Sequence, residues 1–271
     1  MDLIFITENP DHAKEISDAG VNYIMIDLEI NGKHERQGHL NTVISKHNIE
    51  SIGSVLRAVK GSSAKILVRV NPLYEDSKRE IDRAIALGAS KLMLPMFRSC
   101  DEVEIFLSIV DGRIPVTLLV ETAAAVARLP DILKLSGDYD IYVGLNDLHL
   151  EMKLNFMFEL LVKDGIVEYV SEHCKRASRM FGFGGVSRLG GKSLLPAEDV
   201  LSEHKRLGSS SVILSRDWRN SLEEGDFTEQ VILLRNFLSN VNATDPLIIS
   251  RKISSIAKNL RRSSHDASNF T

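Results

Sequence analysis

Short apolar runs alternate with amphipathic helical segments eight times along the chain, and this rhythm constrains the fold more than any other feature. Predicted strands lie at residues 3–7, 23–28, 65–70, 91–95, 116–121, 141–144, 182–186 and 211–215. Each is brief, continuous and rich in Val, Ile and Leu, as a parallel strand buried on both faces should be. Apolar residues at helical spacing predict helices at 11–19, 49–58, 77–87, 101–109, 123–135, 156–179, 197–207 and 228–240. Asp101 and Pro196 stand at helix starts, and Gly88 and Gly208 stand where a helix C-terminus favours glycine. The repeats predict an α/β fold, a (β/α)8 TIM barrel with an additional C-terminal helix. An open doubly wound sheet would share the rhythm. The 271 residues suffice for the about 250 such a barrel needs. A catalytic barrel domain is expected over residues 1–244, followed by a helix and tail over 245–271. In that last stretch Asp245-Pro246 opens an apolar-periodic piece from Leu247 to Leu260, and disorder is expected from about Ser263.

Composition narrows the function. A formal net charge of -4 lacks the basic surplus of a nucleic-acid binder. No apolar run approaches the roughly 20 residues of a membrane helix. The N-terminal apolar run has no positively charged start and reads as a strand, not a signal peptide. Cys100 and Cys174 are too few for a disulfide framework and lack metal-ligand spacing. A cytoplasmic location is expected.

In a barrel, reactive groups gather where strands end, so polar residues that terminate apolar runs are the candidates. Asp27 and Glu29 end the second strand in Ile-Asp-Leu-Glu, and Arg69 lies within the third. Glu121 ends the fifth, and Asp147 follows the sixth in Val-Gly-Leu-Asn-Asp. Glu121 and Asp147 are hard oxygen donors without a neighbouring histidine or cysteine. Such a pair suits a divalent ion, Mg²⁺ or Mn²⁺, with water and substrate oxygens completing the octahedron. Arg69 offers a planar fork to a carboxylate or a developing enolate oxygen. Asp27 and Glu29 are candidates for orienting water or carrying protons. The plainer alternatives are that the acids cap following helices and that Arg69 belongs to a structural ion pair. His34, His39, His47 and His149 read as solvated loop histidines. Phe-Gly-Phe-Gly-Gly-Val at 181–186 lacks the spacing of a dinucleotide fingerprint and reads as a closely packed strand.

Five phrases in this order resemble the phosphoenolpyruvate/pyruvate-barrel superfamily, in the branch of citrate lyase β subunits and 4-hydroxy-2-oxoheptanedioate aldolases. They are Ile-Asp-Leu-Glu from residue 26, Val-Arg-Val-Asn-Pro from 68 and Gly-Ala-Ser-Lys-Leu-Met-Leu-Pro-Met from 88, then Leu-Val-Glu-Thr-Ala-Ala-Ala from 119 and Tyr-Val-Gly-Leu-Asn-Asp-Leu from 142. The resemblance implies that Glu121 and Asp147 hold the metal and that Arg69 contacts a pyruvate enolate. It places Asp27 and Glu29 beside a proton-handling water. It also implies carbon–carbon lyase activity on a 2-oxo acid and a homo-oligomer, trimer or hexamer. Two positions depart from the pattern. The aldolases' acid–base histidine after the second-strand acid is Ile30 here, and the glutamine two residues before the metal-binding glutamate is Leu119. His34 and Arg36, in the charged loop after strand two, are therefore candidates for touching substrate. The departures leave two other functions open: a thioester-acting enzyme like citrate lyase, performing hydrolysis or acyl transfer, and an inactive barrel serving as a binding scaffold.

Overall fold

The computed structural model describes residues 1–31 and 47–268, with side chains up to residue 263. Eight parallel strands close into a barrel in sequence order: β1 (Asp2–Ile6), β2 (Tyr23–Asp27), β3 (Lys65–Arg69), β4 (Lys91–Leu94), β5 (Val116–Val120), β6 (Tyr139–Val143), β7 (Phe181–Val186) and β8 (Ser211–Leu214). Closure is made by β1 pairing with β8, where Asp2, Leu3 and Ile4 face Ser211, Val212 and Ile213. This excludes the open sheet and leaves no free sheet edge.

The helices packed around the strands are α1 (Pro10–Asp18), α2 (Ser51–Ala58), α3 (Ser77–Ala86), α4 (Cys100–Val110), α5 (Ala123–Ile132) and α6 (Leu145–Glu151). They continue with α7 (Ile166–Arg176), α8 (Ala197–Leu207), α9 (Trp218–Glu224), α10 (Phe227–Asn240) and α11 (Pro246–Ser268). Among the described residues, none is long and apolar enough to cross a membrane.

Each strand has two buried faces, and their alternation decides what enters the barrel. Outward residues such as Leu3, Phe5, Ile24, Ile26, Ile66 and Val68 join the core shared with the helices. Inward residues Ile4, Met25, Leu67, Met93, Leu119 and Tyr142 form a separate cluster inside. Successive side chains of a strand point to opposite faces, so residues two positions further on also point inward. That parity puts Asp27, Arg69, Glu121 and Gly144 in one layer above the apolar plug. Asp27 and Arg69 are register partners across β2 and β3.

The structure corrects three expectations. The helix expected at 156–179 is two pieces, a 3-10 turn at Met157–Leu161 and α7. The break falls at Asp164-Gly165, where Asp164 is left-handed (φ 61°) and a Cβ on Gly165 would lie 2.5 Å from the Val162 carbonyl. Helix α4 starts at Cys100, capped by Ser99 and Glu102 in a reciprocal capping box, and not at Asp101. The C-terminal helix runs through Ser268, beyond the expected onset of disorder at Ser263. It buries Ile249, Ile253 and Ala257 against the body and joins α8 through Lys252 and Asp199 at 2.8 Å, so tertiary packing anchors its first half.

Candidate functional site

A cavity of about 470 Å³ opens at the C-terminal mouth of the barrel. Asp27, Arg69, Glu121 and Asp147 line its polar side, and Met93, Leu119 and Tyr142 its apolar floor.

The polar side is built around Arg69. Its Nε donates to Asp27 Oδ1 at 2.8 Å and its Nη2 to Asp27 Oδ2 at 2.9 Å, while Nη1 lies 3.5 Å from Glu29 Oε2. Asp27 is 1% exposed and Glu29 also 1%. Burial by itself would lower the Arg69 pKa, but Asp27 and Glu29 outweigh it and hold the guanidinium charged. One edge of the fork is thus committed within the protein.

The turn after β2 is fixed from two sides. The Glu29 N–H donates to Asp27 Oδ1 at 3.2 Å, and the N–H groups of Ile30 and Asn31 donate to Asn71 Oδ1 at 2.9 and 3.0 Å. Asn71 is held in turn by its Nδ2 donating to Glu80 Oε1 at 2.9 Å. Ile30 itself is not among the residues lining the cavity and is 53% exposed.

Glu121 is 2% exposed. Burial, then Glu29 and Asp147, push its pKa well above the ordinary carboxylate range, against the opposing pull of Arg69 and the Met96 N–H. That N–H reaches Glu121 Oε1 at 3.0 Å, and Met96 adopts a left-handed φ of 56° to deliver it. Thr122, the next residue, donates to the Phe97 carbonyl at 2.9 Å and caps α5 through the Ala125 N–H at 3.0 Å. The Glu-Thr pair therefore welds the end of β5 to the loop after β4. On the other side, a Cβ at Gly144 would come within 2.7 Å of Glu121 Oε2, so the missing side chain there makes the space the carboxylate occupies. Asp147 sits in the first turn of α6 rather than in a loop.

These residues fit a divalent cation. Four carboxylates, Asp27, Glu29, Glu121 and Asp147, share this end of the site with Arg69, and the like-charge strain on Glu121 is what a cation relieves. Among the described residues no three His, Cys, Asp or Glu side chains group as a ready-made cage. The protein would supply two oxygen ligands, Glu121 and Asp147, and leave the remaining positions to water and substrate.

His34, Arg36 and His39 lie outside the described residues. His47, expected as a solvated loop histidine, instead accepts the Asp27 backbone N–H at Nδ1, at 3.0 Å. His149 bonds its own helix through the Leu145 carbonyl at 3.2 Å and does not line the cavity.

Several cavity residues escape sequence reasoning. Tyr142 spans the floor; its hydroxyl donates toward the Phe183 carbonyl at 3.0 Å and accepts the Ile213 N–H at 2.9 Å. It bridges β7 and β8 where a bulge between Gly182 and Gly185 shifts their register. Burial raises its pKa far beyond the usual phenol range, which makes it a hydrogen-bonding post and not a proton carrier. Arg216 and Arg219 line the cavity from the segment after β8. Strand-end polarity could have flagged Arg216, which follows Ile-Leu-Ser, but the register that turns it inward is not local.

The barrel matches solved structures. An HpcH/HpaI aldolase from Desulfitobacterium hafniense DCB-2 superposes with a TM-score of 0.62 at 16% identity, covering 86% of this chain and 92% of that one. An HpcH/HpaI aldolase/citrate lyase family protein from Burkholderia cenocepacia J2315 gives 0.64 at 16% identity, covering 84% and 93%. Macrophomate synthase gives 0.59 at 13% identity, covering 88% and 85%. At such identities these likenesses speak for the fold. No curated protein matches the sequence significantly. The sequence profile of the HpcH/HpaI aldolase/citrate lyase family matches residues 3–181, about two-thirds of the chain and every strand that carries a polar site residue named from sequence. The chain belongs to the HpcH/HpaI aldolase/citrate lyase family and is an enzyme of the lyase type.

Proposed function

We propose that the protein is a metal-dependent carbon–carbon lyase that forms or cleaves a pyruvate-type enolate from a 2-oxo acid. The observation that carries the reading is Glu121, buried against Gly144 and electrostatically coupled to Asp147 and Glu29 at the head of a substrate-sized cavity. Glu121 and Asp147 would hold a divalent ion, Mg²⁺ or Mn²⁺, which when bound supplies positive charge to the oxygens of the 2-oxo acid. The Arg69 Nη1, on the side away from Asp27, adds a fixed donor to the same region.

In the cleavage direction, a carboxylate takes the proton of the substrate hydroxyl two carbons beyond the keto group. The carbon–carbon bond between them breaks, an aldehyde leaves, and the electron pair remains on the 2-oxo acid fragment as its enolate. Protonation of the enolate carbon completes the turnover. Glu29, on the turn held by Asn71, and Asp27 are the proton carriers on this reading. Asp27 engages Arg69 through both oxygens, whereas Glu29 faces the Arg69 Nη1 at 3.5 Å. His34 and Arg36 remain candidates for substrate contact, and a trimer or hexamer remains the proposed assembly.

The test is calorimetric titration of Mn²⁺ and Mg²⁺ into metal-free protein, with and without oxalate as an enolate mimic, beside Glu121→Gln and Asp147→Asn. Metal binding lost in both variants, with oxalate binding that requires metal, is the expected result. Binding indifferent to both substitutions sinks the lyase reading and brings the scaffold function forward.

A further inference from the structure

The segments that carry Glu121 and Asp147 meet a carboxylate outside the cavity. Glu151, the last residue of α6, is partly exposed and is not among the residues lining the cavity. It accepts three hydrogen bonds, and each leads back to the candidate ligands. Its Oε1 takes the Ala123 N–H at 3.1 Å, two residues beyond Glu121. Arg98 holds both oxygens, Nη1 to Oε1 at 3.1 Å and Nη2 to Oε2 at 2.9 Å. Arg98 itself stands two residues beyond Met96, whose N–H donates to Glu121. Asp147 lies one turn back from Glu151 on the same helix.

The loop after β4 and the end of β5 are already joined by Met96 to Glu121 and by Thr122 to Phe97. Glu151 ties α6 to both. Its bond to Ala123 satisfies a donor that the first turn of α5 leaves without an intrahelical partner, where an anion is favoured. Arg98 is seated in turn through its backbone N–H, which donates to Glu102 of the α4 capping box. A bidentate pair fixes an angle as well as a distance. The seven residues of α6 are too few to hold its direction by their own hydrogen bonds, so its ties to neighbours set where Asp147 stands. The Arg98 side chain is half-exposed, so the pair adds little to global stability, and its effect is local geometry.

We infer that Glu151 is a positioning residue: by binding Ala123 and Arg98 it holds α6, and Asp147 with it, at the separation from Glu121 that lets both carboxylates meet one cation. This role rests on the lyase reading above, which makes Glu121 and Asp147 the ligands. Glu151 touches neither substrate nor metal and acts through the backbone it fastens.

The test is calorimetric titration of Mn²⁺ into the metal-free full chain, with urea denaturation and amide exchange of Ala123 measured on each protein. The set is the wild type, Glu151→Leu, Glu151→Gln, Arg98→Leu and Arg83→Met. Glu151→Leu removes all three bonds, and Glu151→Gln keeps an oxygen for Ala123. Arg83→Met breaks an exposed pair with Glu50 elsewhere on the surface. Glu151→Leu should weaken Mn²⁺ binding about tenfold or more, the usual effect of losing a contact that orients a ligand. Arg98→Leu should shift it the same way, Glu151→Gln should restore most of the affinity, and Arg83→Met should keep all of it. Ala123 exchange should quicken in Glu151→Leu, with little change in the urea midpoint. Wild-type affinity in whichever of Glu151→Leu and Arg98→Leu folds overturns the inference and leaves the lyase reading standing. Unchanged Ala123 exchange in Glu151→Leu, or an equal loss of affinity in Arg83→Met, overturns it as well. Absence of Mn²⁺ binding in the wild type removes the lyase reading and this role together.

Discussion

Replacing Gly144 by Ala isolates the geometry of Glu121. The backbone there has φ -81° and ψ 90°, open to any L-residue, so the substitution brings no backbone strain. The added Cβ would lie 2.7 Å from Glu121 Oε2, 2.9 Å from Glu121 Cβ and 3.2 Å from Leu119 Cδ1. The first two contacts are shorter than real Cβ contacts, so the Glu121 carboxylate must swing aside and, because its Cβ is also struck, the ends of β5 and β6 must part slightly. Overpacking of this kind costs about 1–3 kcal/mol, offset by about 0.4–1 kcal/mol from the stiffer unfolded chain. The net loss, about 0–2.6 kcal/mol, leaves a folded protein. A displaced ligand costs more in function: disturbing a metal ligand's surroundings typically lowers affinity about 10–100-fold. The assay is Mn²⁺ titration beside urea denaturation. Gly53→Ala is the control, because its Cβ meets nothing closer than Arg57 Nη1 at 3.6 Å and lies within α2. That change should stabilise by about 0.5–1 kcal/mol and leave metal binding alone. In a Glu121→Ala background the carboxylate contact is gone while the contacts with the residue-121 Cβ and Leu119 Cδ1 stay, so Gly144→Ala should cost less stability than in the wild type, and the difference measures the carboxylate clash. Wild-type Mn²⁺ affinity in Gly144→Ala would refute the argument.

Three further outcomes are expected. Glu121 must lose its proton to bind a cation, so affinity should rise with pH and binding should release protons, measurable by calorimetry in buffers of different ionisation enthalpy. Its raised folded pKa also means that its contribution to metal-free stability is present below the unfolded pKa and lost as pH rises through the folded one. Glu121→Gln should therefore gain on the wild type in that direction, and a constant difference would contradict the burial argument. Arg69→Met leaves Asp27 and Glu29 buried without their cation and should destabilise by about 3–5 kcal/mol in urea; a loss below about 1 kcal/mol would show that the acids simply take up protons. His204 stacks on Phe183 at 3.6 Å, and burial lowers its pKa to about 3. Its folded pKa is depressed, so stability should fall from about pH 6.5 towards 3, by at most about 1.4 kcal/mol per pH unit. His204→Leu should flatten that slope, and an unchanged slope would place the acid sensitivity elsewhere.

Much of this protein is determined locally. The period-two alternation of each strand sets which residues can enter the barrel, so Asp27, Arg69 and Glu121 are legible as an inward layer once the strands are recognised. The break at Asp164-Gly165 was equally local, and there the helical periodicity on either side concealed it. What only the tertiary structure decided are relations between distant segments. Gly144 matters because β6 runs beside β5, and Asn71 because β3 carries it to the turn after Glu29. His47 meets the Asp27 amide 20 residues earlier in the chain. Tyr142 finds its partners on β7 and β8 because a bulge shifts their register, and that shift has no local signature beyond a run of glycines. Arg216 and Arg219 enter the cavity because closure of β8 onto β1 and the burial of Trp218 turn their segment toward it. Propensity and periodicity act over a few residues, whereas barrel closure, register and the desolvation of charge belong to the whole packed molecule.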